Sequence, residues 1–111
     1  MSYIANVKSM FVVYGCNNCH GGAGPASQYR PDVYTGLPGA FAGIVEAGNE
    51  AKQLGECDVI KGDANNSYIV RKLEDAPGIL GSHMPPGASP TVNATQVAWL
   101  RLWIDQGAPN N

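Results

Sequence analysis

The chain predicts an all-α fold of three to five short helices joined by long loops, with the first and last helices packed on each other. Two stripes at helical spacing carry this prediction. Ile4, Val7, Phe11 and Tyr14 recur at i, i+3, i+7 and i+10. Val97, Leu100 and Ile104 form a second stripe, flanked by Trp99 and Trp103 at i and i+4. The third observation is compositional: 14 Gly and 8 Pro among 111 residues imply much irregular backbone between the helices. That length suits one domain over 1–111. Hydrophobic residues at 44% allow a core, but a small one.

The first helix is expected over residues 2–14, with Ser2 as its cap and Gly15 as its end or as a bend. Cys16-Asn17-Asn18-Cys19-His20 follows. This is the form of an attachment site for a covalent c-type haem. Two thiols about one helical turn apart add across the vinyl groups, and the adjacent imidazole lies against the iron as its proximal ligand. Shuffling this composition produces the pattern only about once per thousand sequences. Two other chemistries use Cys-x-x-Cys. A structural zinc needs four ligands; Cys57 and His83 could complete a set, but neither sits in a second close pair. A thioredoxin-like pair needs a βαβ setting, and no strand-rich pattern flanks this one. Haem is the favoured reading and zinc the principal alternative.

Gly21-Gly22-Ala23-Gly24-Pro25 reads as a loop. The Gly24–Pro25 region is well placed to accept the second ring N–H of His20, Pro25 through its free C=O. Residues 26–38 also read as loop. Within them Arg30 and a tyrosine are candidate donors to haem propionates, with an exposed arginine and packing tyrosines as the alternative. A short helix is expected over Ala40–Ala47, with Phe41, Ile44 and Val45 inward and Gly48 as its stop. Cys57, the odd cysteine, is expected to be a buried structural thiol, intermolecular pairing being the alternative. Asp63 is expected to cap a helix from Ala64 to about Asp75, with Tyr68, Ile69, Val70 and Leu73 as apolar members. Arg71 and Lys72 suit its second half, where the helix dipole favours cations, and Pro77-Gly78 ends it.

Ser82-His83-Met84-Pro85-Pro86-Gly87 is the second decisive stretch. A residue before proline is pushed out of the α region, so Met84 is carried on a stiff strap and not on a helix face. Its thioether is a candidate to bind the iron opposite His20, with a gap-filling core methionine as the alternative. His83 is the rival ligand; a surface or propionate-contacting histidine is the preferred reading of it. The last helix is expected from Ala94, with Asn93 and Gln96 as a capping box and with Gly107 and Pro109 as its stop. Its broad apolar surface would face the first helix and a haem edge.

Charged residues are 14% of the chain and the net charge is −2, from 7 basic and 9 acidic residues. This gives no reason to expect nucleic acid or anionic lipid as a partner. No segment reaches the roughly 18 apolar residues of a membrane span. Residues 1–14 lack the features of a signal peptide. Since haem is attached in this way outside the bacterial inner membrane, a mature periplasmic chain is expected, its leader already removed.

Three pieces of the chain resemble the class I c-type cytochromes, in particular the single-haem modules called planctomycete-type cytochrome c. Cys16-Asn17-Asn18-Cys19-His20-Gly21 is similar to the attachment site. Gly62-Asp63-Ala64-Asn65-Asn66-Ser67-Tyr68-Ile69-Val70-Arg71-Lys72-Leu73 is similar to the helix before the distal loop. Met84-Pro85-Pro86-Gly87, with Asn93-Ala94-Thr95-Gln96-Val97 and Leu102-Trp103-Ile104-Asp105-Gln106-Gly107-Ala108, is similar to the distal ligand and final helix. Residues 26–61 resemble nothing named. The resemblance implies an all-α fold with crossed terminal helices, one haem c on Cys16 and Cys19, His20 and Met84 as axial ligands, and single-electron transfer between other redox proteins. No enzymatic role follows from it. The alternatives are a haem module with an open or displaceable distal site, acting as a gas sensor or peroxidase, and a haem domain within a larger redox assembly.

Overall fold

The computed structural model describes residues 1–21, 24, 26, 28–36, 42–87 and 92–111. Ser2 opens the chain's first helix by accepting the Ala5 N–H at 3.2 Å, as expected of a cap. A π-helical turn, Tyr3–Lys8, runs directly into α1, Ser9–Val13. The i→i+5 bonding of a π turn takes more residues per revolution, and this moves the buried face. Tyr3, at 3% exposure, lies inward with Val7, Met10 and Phe11, whereas Ile4 is 62% exposed. Ile4 therefore does not belong to the stripe.

Gly15, at φ +67°, ends this helix in a Schellman motif. Its N–H donates to Val12 C=O and the Cys16 N–H to Phe11 C=O, both at 3.0 Å. The chain turns there into α2, Asn17–His20, where the His20 N–H returns to Cys16 C=O at 2.9 Å. A two-residue parallel ladder was not foreseen. Strand β1, Tyr29–Arg30, pairs with β2, Ala42–Gly43, in the register Tyr29 to Ala42. It replaces part of the expected Ala40–Ala47 helix. Residues 40 and 41 lie outside the described residues, 42 and 43 are strand, and Gly43 lies too close to the Thr35 backbone for any side chain. The helix comes later, as α3, Asn49–Gln53.

Helix α4 spans Tyr68–Glu74, starting later than expected. Asp63 caps a turn instead, accepting the N–H of Asn66 at 3.2 Å and its side-chain amide at 2.7 Å. The helix ends where Asp75 enters the left-handed region at φ 55°, before Pro77. Arg71 and Lys72 do occupy its last turn. Helix α5, Ala94–Asp105, has the expected cap, the Asn93 side chain accepting the N–H groups of Thr95 at 2.8 Å and Gln96 at 3.3 Å, but not the capping box, because the Asn93 N–H donates to Tyr14 Oη at 3.0 Å. Its end is a second Schellman motif around Gly107, φ +97°, with the Ala108 N–H donating to Trp103 C=O at 2.9 Å.

The core lies where α5 meets the first helix and α4. Trp103, Ile104 and Leu100 are at most 1% exposed and pack with Val7, Phe11, Ile69, Val70 and Leu73. Tyr3 and Trp103 stack with ring centroids 5.6 Å apart, so the expected contact between first and last helices is present. Arg101 on α5 grips Glu74 on α4 through two bonds of 2.7 and 2.8 Å. The radius of gyration, 12.6 Å, is that of a compact chain of this length. The fold is mostly helical, with the small ladder as its departure from a purely helical class. Among the described residues, no helix is long and apolar enough to cross a membrane.

Candidate functional site

A cavity of about 510 Å³ opens between α1, α2, α3, α4 and the strap at Met84. This falls in the range that holds compact organic ligands, roughly 300–1,000 Å³. Cys16, Cys19, His20 and Met84 all line it, although Met84 comes from the far half of the sequence. All three cysteines are free thiols. The Gly15 turn sets the first thiol at the start of α2, and the i, i+3 spacing sets the second one helical turn on.

The His20 ring is fixed in one tautomer. Its Nδ1 lies 2.8 Å from Tyr29 C=O. A carbonyl only accepts, so Nδ1 carries a hydrogen and, in the neutral ring, the lone pair falls on Nε2. The acceptor is thus Tyr29, and the Gly24–Pro25 region does not fill that role; Pro25 itself lies outside the described residues. The β ladder explains the assignment. It takes the carbonyl of Gln28, which accepts the Ala42 N–H at 3.0 Å, and leaves that of Tyr29 to point the other way. The Tyr29 ring stands edge-on to His20, its hydroxyl donating to Ile44 C=O at 2.9 Å. Gly24 closes the loop against α2, where any Cβ would fall 2.2 Å from Cys19 O.

Several expectations are corrected here. Arg30 does not line the cavity; it forms a two-bond pair with Asp32 at 2.6 and 2.7 Å, which holds the Asp32 carboxyl below its usual pKa. His83 is buried at 5% exposure and is no surface histidine. Its Nε2 lies 3.0 Å from Gly87 C=O, and it does not line the cavity. Cys57 is exposed, against the expectation of a buried thiol. Neither Cys57 nor His83 joins Cys16 and Cys19 at the cavity, so the four-ligand zinc set is not assembled.

Sequence reasoning missed the polar wall. Glu50, Asp58, Tyr68 and Lys72 line the cavity. Tyr68 and Lys72 stand four apart on one face of α4, a spacing that could have marked them. Burial, with Glu50 adding to it, pushes the Tyr68 hydroxyl up to about 12. Asp58 is 5% exposed and accepts the Gly48 N–H at 2.6 Å. Burial pushes its carboxyl up to about 6 against that bond's opposing pull, and the charge of Glu50 adds to the rise. The native state therefore keeps this proton where the unfolded chain has lost it. Stability should fall as pH rises from about 4 to about 6, by about 3 kcal/mol on the linkage relation. Asp58→Asn, which retains an oxygen for Gly48, should be the more stable protein at pH 7 and should flatten this slope. Urea midpoints of both proteins at pH 4 and pH 7 check it, and identical slopes would reject the assignment.

Compared with family models, curated proteins and solved structures, the chain finds no match.

Proposed function

We propose that the cavity holds one covalently attached c-type haem and that the protein is a single-electron carrier of the class I cytochrome c kind. The observation that carries this reading is that one cavity gathers Cys16, Cys19, His20 and Met84, with the His20 ring turned so that Nε2 is the free nitrogen. The residues fit the group. Cys16 and Cys19 would hold it through thioethers, and His20 and Met84 would bind its iron. When bound, the haem supplies a one-electron Fe(II)/Fe(III) couple.

The chain contributes the rest. The Tyr29 carbonyl fixes the His20 tautomer and makes the imidazole a better donor. The soft Met84 sulfur would favour the reduced iron and raise the potential. The apolar walls, Phe11, Ile69 and Leu73 among them, keep water from the site and lower the local dielectric. A haem held by both His20 and Met84 would leave no position for a substrate, so its partners would be other redox proteins met through small transient contacts. Such attachment places the protein outside the bacterial inner membrane.

The test is maturation with a c-type attachment system, then denaturing electrophoresis and absorption spectroscopy. Haem that stays on the denatured chain, and is lost when Cys16 and Cys19 are replaced by Ser, supports the reading. A matured chain that is colourless, that carries zinc, or that links Cys16 to Cys19 in a disulfide ends it.

A further inference from the structure

The strap that carries Met84 is held by side chains of the cavity wall. Leu80 has both main-chain polar groups bound by α4: its N–H donates to Tyr68 Oη at 3.1 Å, and its C=O accepts from Lys72 Nζ. Four residues on, the Met84 N–H donates to Lys72 C=O at 2.9 Å. A loop carbonyl usually takes its hydrogen bond from water or neighbouring backbone. Here it takes an ammonium from a residue only 8% exposed.

That ammonium has a second partner. Glu50 Oε2 of α3 lies 2.7 Å from Lys72 Nζ and accepts the Tyr68 hydroxyl at 2.8 Å. A buried ammonium is costly unless it is paired and fully hydrogen-bonded. Lys72 places two of its three N–H donors on one carboxylate and one strap carbonyl, so lifting the strap strips a buried charge of a partner. Tyr68 and Lys72, one turn apart on α4, face the cavity together. The strap also runs across the ion pair itself: a Cβ on Gly81 would stand 4.0 Å from both Glu50 and Lys72.

We propose that Glu50, Tyr68 and Lys72 form a clamp that positions Met84, fixing the Leu80–Met84 strap over the cavity and so deciding how readily an external ligand displaces the thioether. The clamp is a set of positioning residues, since none of the three is assigned to the iron. The inference rests on the haem reading for its functional consequence, and on the hydrogen bonds alone for its structural part.

The experiment compares the parent protein with Lys72→Met and with Tyr68→Phe, which keeps the ring and removes the hydroxyl should the lysine variant fold poorly. Arg101→Met, which breaks the exposed pair with Glu74, is the control for general loss of stability. Two quantities are read on each: amide hydrogen exchange at Leu80 and Met84, and imidazole binding to the oxidised protein. Loss of a hydrogen bond to a charged group predicts about tenfold faster exchange and about tenfold tighter imidazole binding in Lys72→Met. Tyr68→Phe moves both in the same direction, and Arg101→Met leaves both near the parent. Unchanged exchange at Leu80 and Met84 overturns the clamp whatever the cofactor. Faster exchange with imidazole affinity equal to the control overturns its role in positioning Met84. A chain that carries no haem defeats the proposed function, and the exchange measurement still decides the clamp.

Discussion

Met84→Ala is expected to lose the methionine–iron charge-transfer band of the oxidised protein and to bind CO when reduced. Met84 lines the same cavity as His20, and its main chain is tied to α4 through Lys72. On the proposed His20/Met84 ligation, an incoming ligand in the parent would have to wait for the thioether to leave. Its apparent affinity is reduced by the small population of the open form. Deleting the sulfur makes every molecule competent, so CO affinity should rise by at least about tenfold. The potential should fall, since the group that favours the reduced iron is gone. Absorption spectra of both redox states, with and without CO, read all of this. A band that survives the substitution means another side chain occupies that position.

Trp103→Ala is expected to cost about 3–5 kcal/mol of folding stability, the range for removing a large buried aromatic. That is a large part of the 5–15 kcal/mol typical of a whole domain. Trp103 is 0% exposed, stacks against Tyr3 of the first helix, and donates its ring N–H to Pro109 C=O at 2.9 Å. The substitution opens a hole between the two ends of the chain and takes one of two donors from the Pro109 carbonyl, which keeps the Asn111 N–H at 3.1 Å. Leu102→Ala is its neighbour on α5 and 45% exposed; it should cost well under half as much. Denaturant unfolding of the two variants gives the comparison. Equal losses would mean that the terminal helices are not packed through Trp103.

The local signals in the sequence were dependable where one residue type satisfied one backbone need. Asn93 could be placed as a cap because its short side chain reaches the first free N–H groups of α5. Gly15 and Gly107 mark helix ends because both adopt positive φ. The stripe at the amino terminus was legible except at Ile4, where a π turn changed the residues per revolution and brought Tyr3 inward. The middle of the chain misled. Gly43 lies against the Thr35 backbone, a close approach that belongs to tertiary packing and leaves no periodic trace.

The Cys16-Asn17-Asn18-Cys19-His20 pattern and the proline-braced Met84 could be singled out in the sequence alone, because each is defined by neighbours a few bonds away, and both line the cavity. The sequence also determined the capped final helix and its apolar stripe. Only the tertiary structure decided that Tyr29 and not the Gly24–Pro25 region receives the His20 ring N–H, that Arg30 is taken by Asp32, and that Glu50, Tyr68 and Lys72 meet at the strap. The physical reason is distance along the chain. A cap or a helical turn is settled within four or five residues, whereas a carbonyl's partner or a buried ammonium's counter-charge is chosen by whichever groups the packed helices bring within about 3 Å.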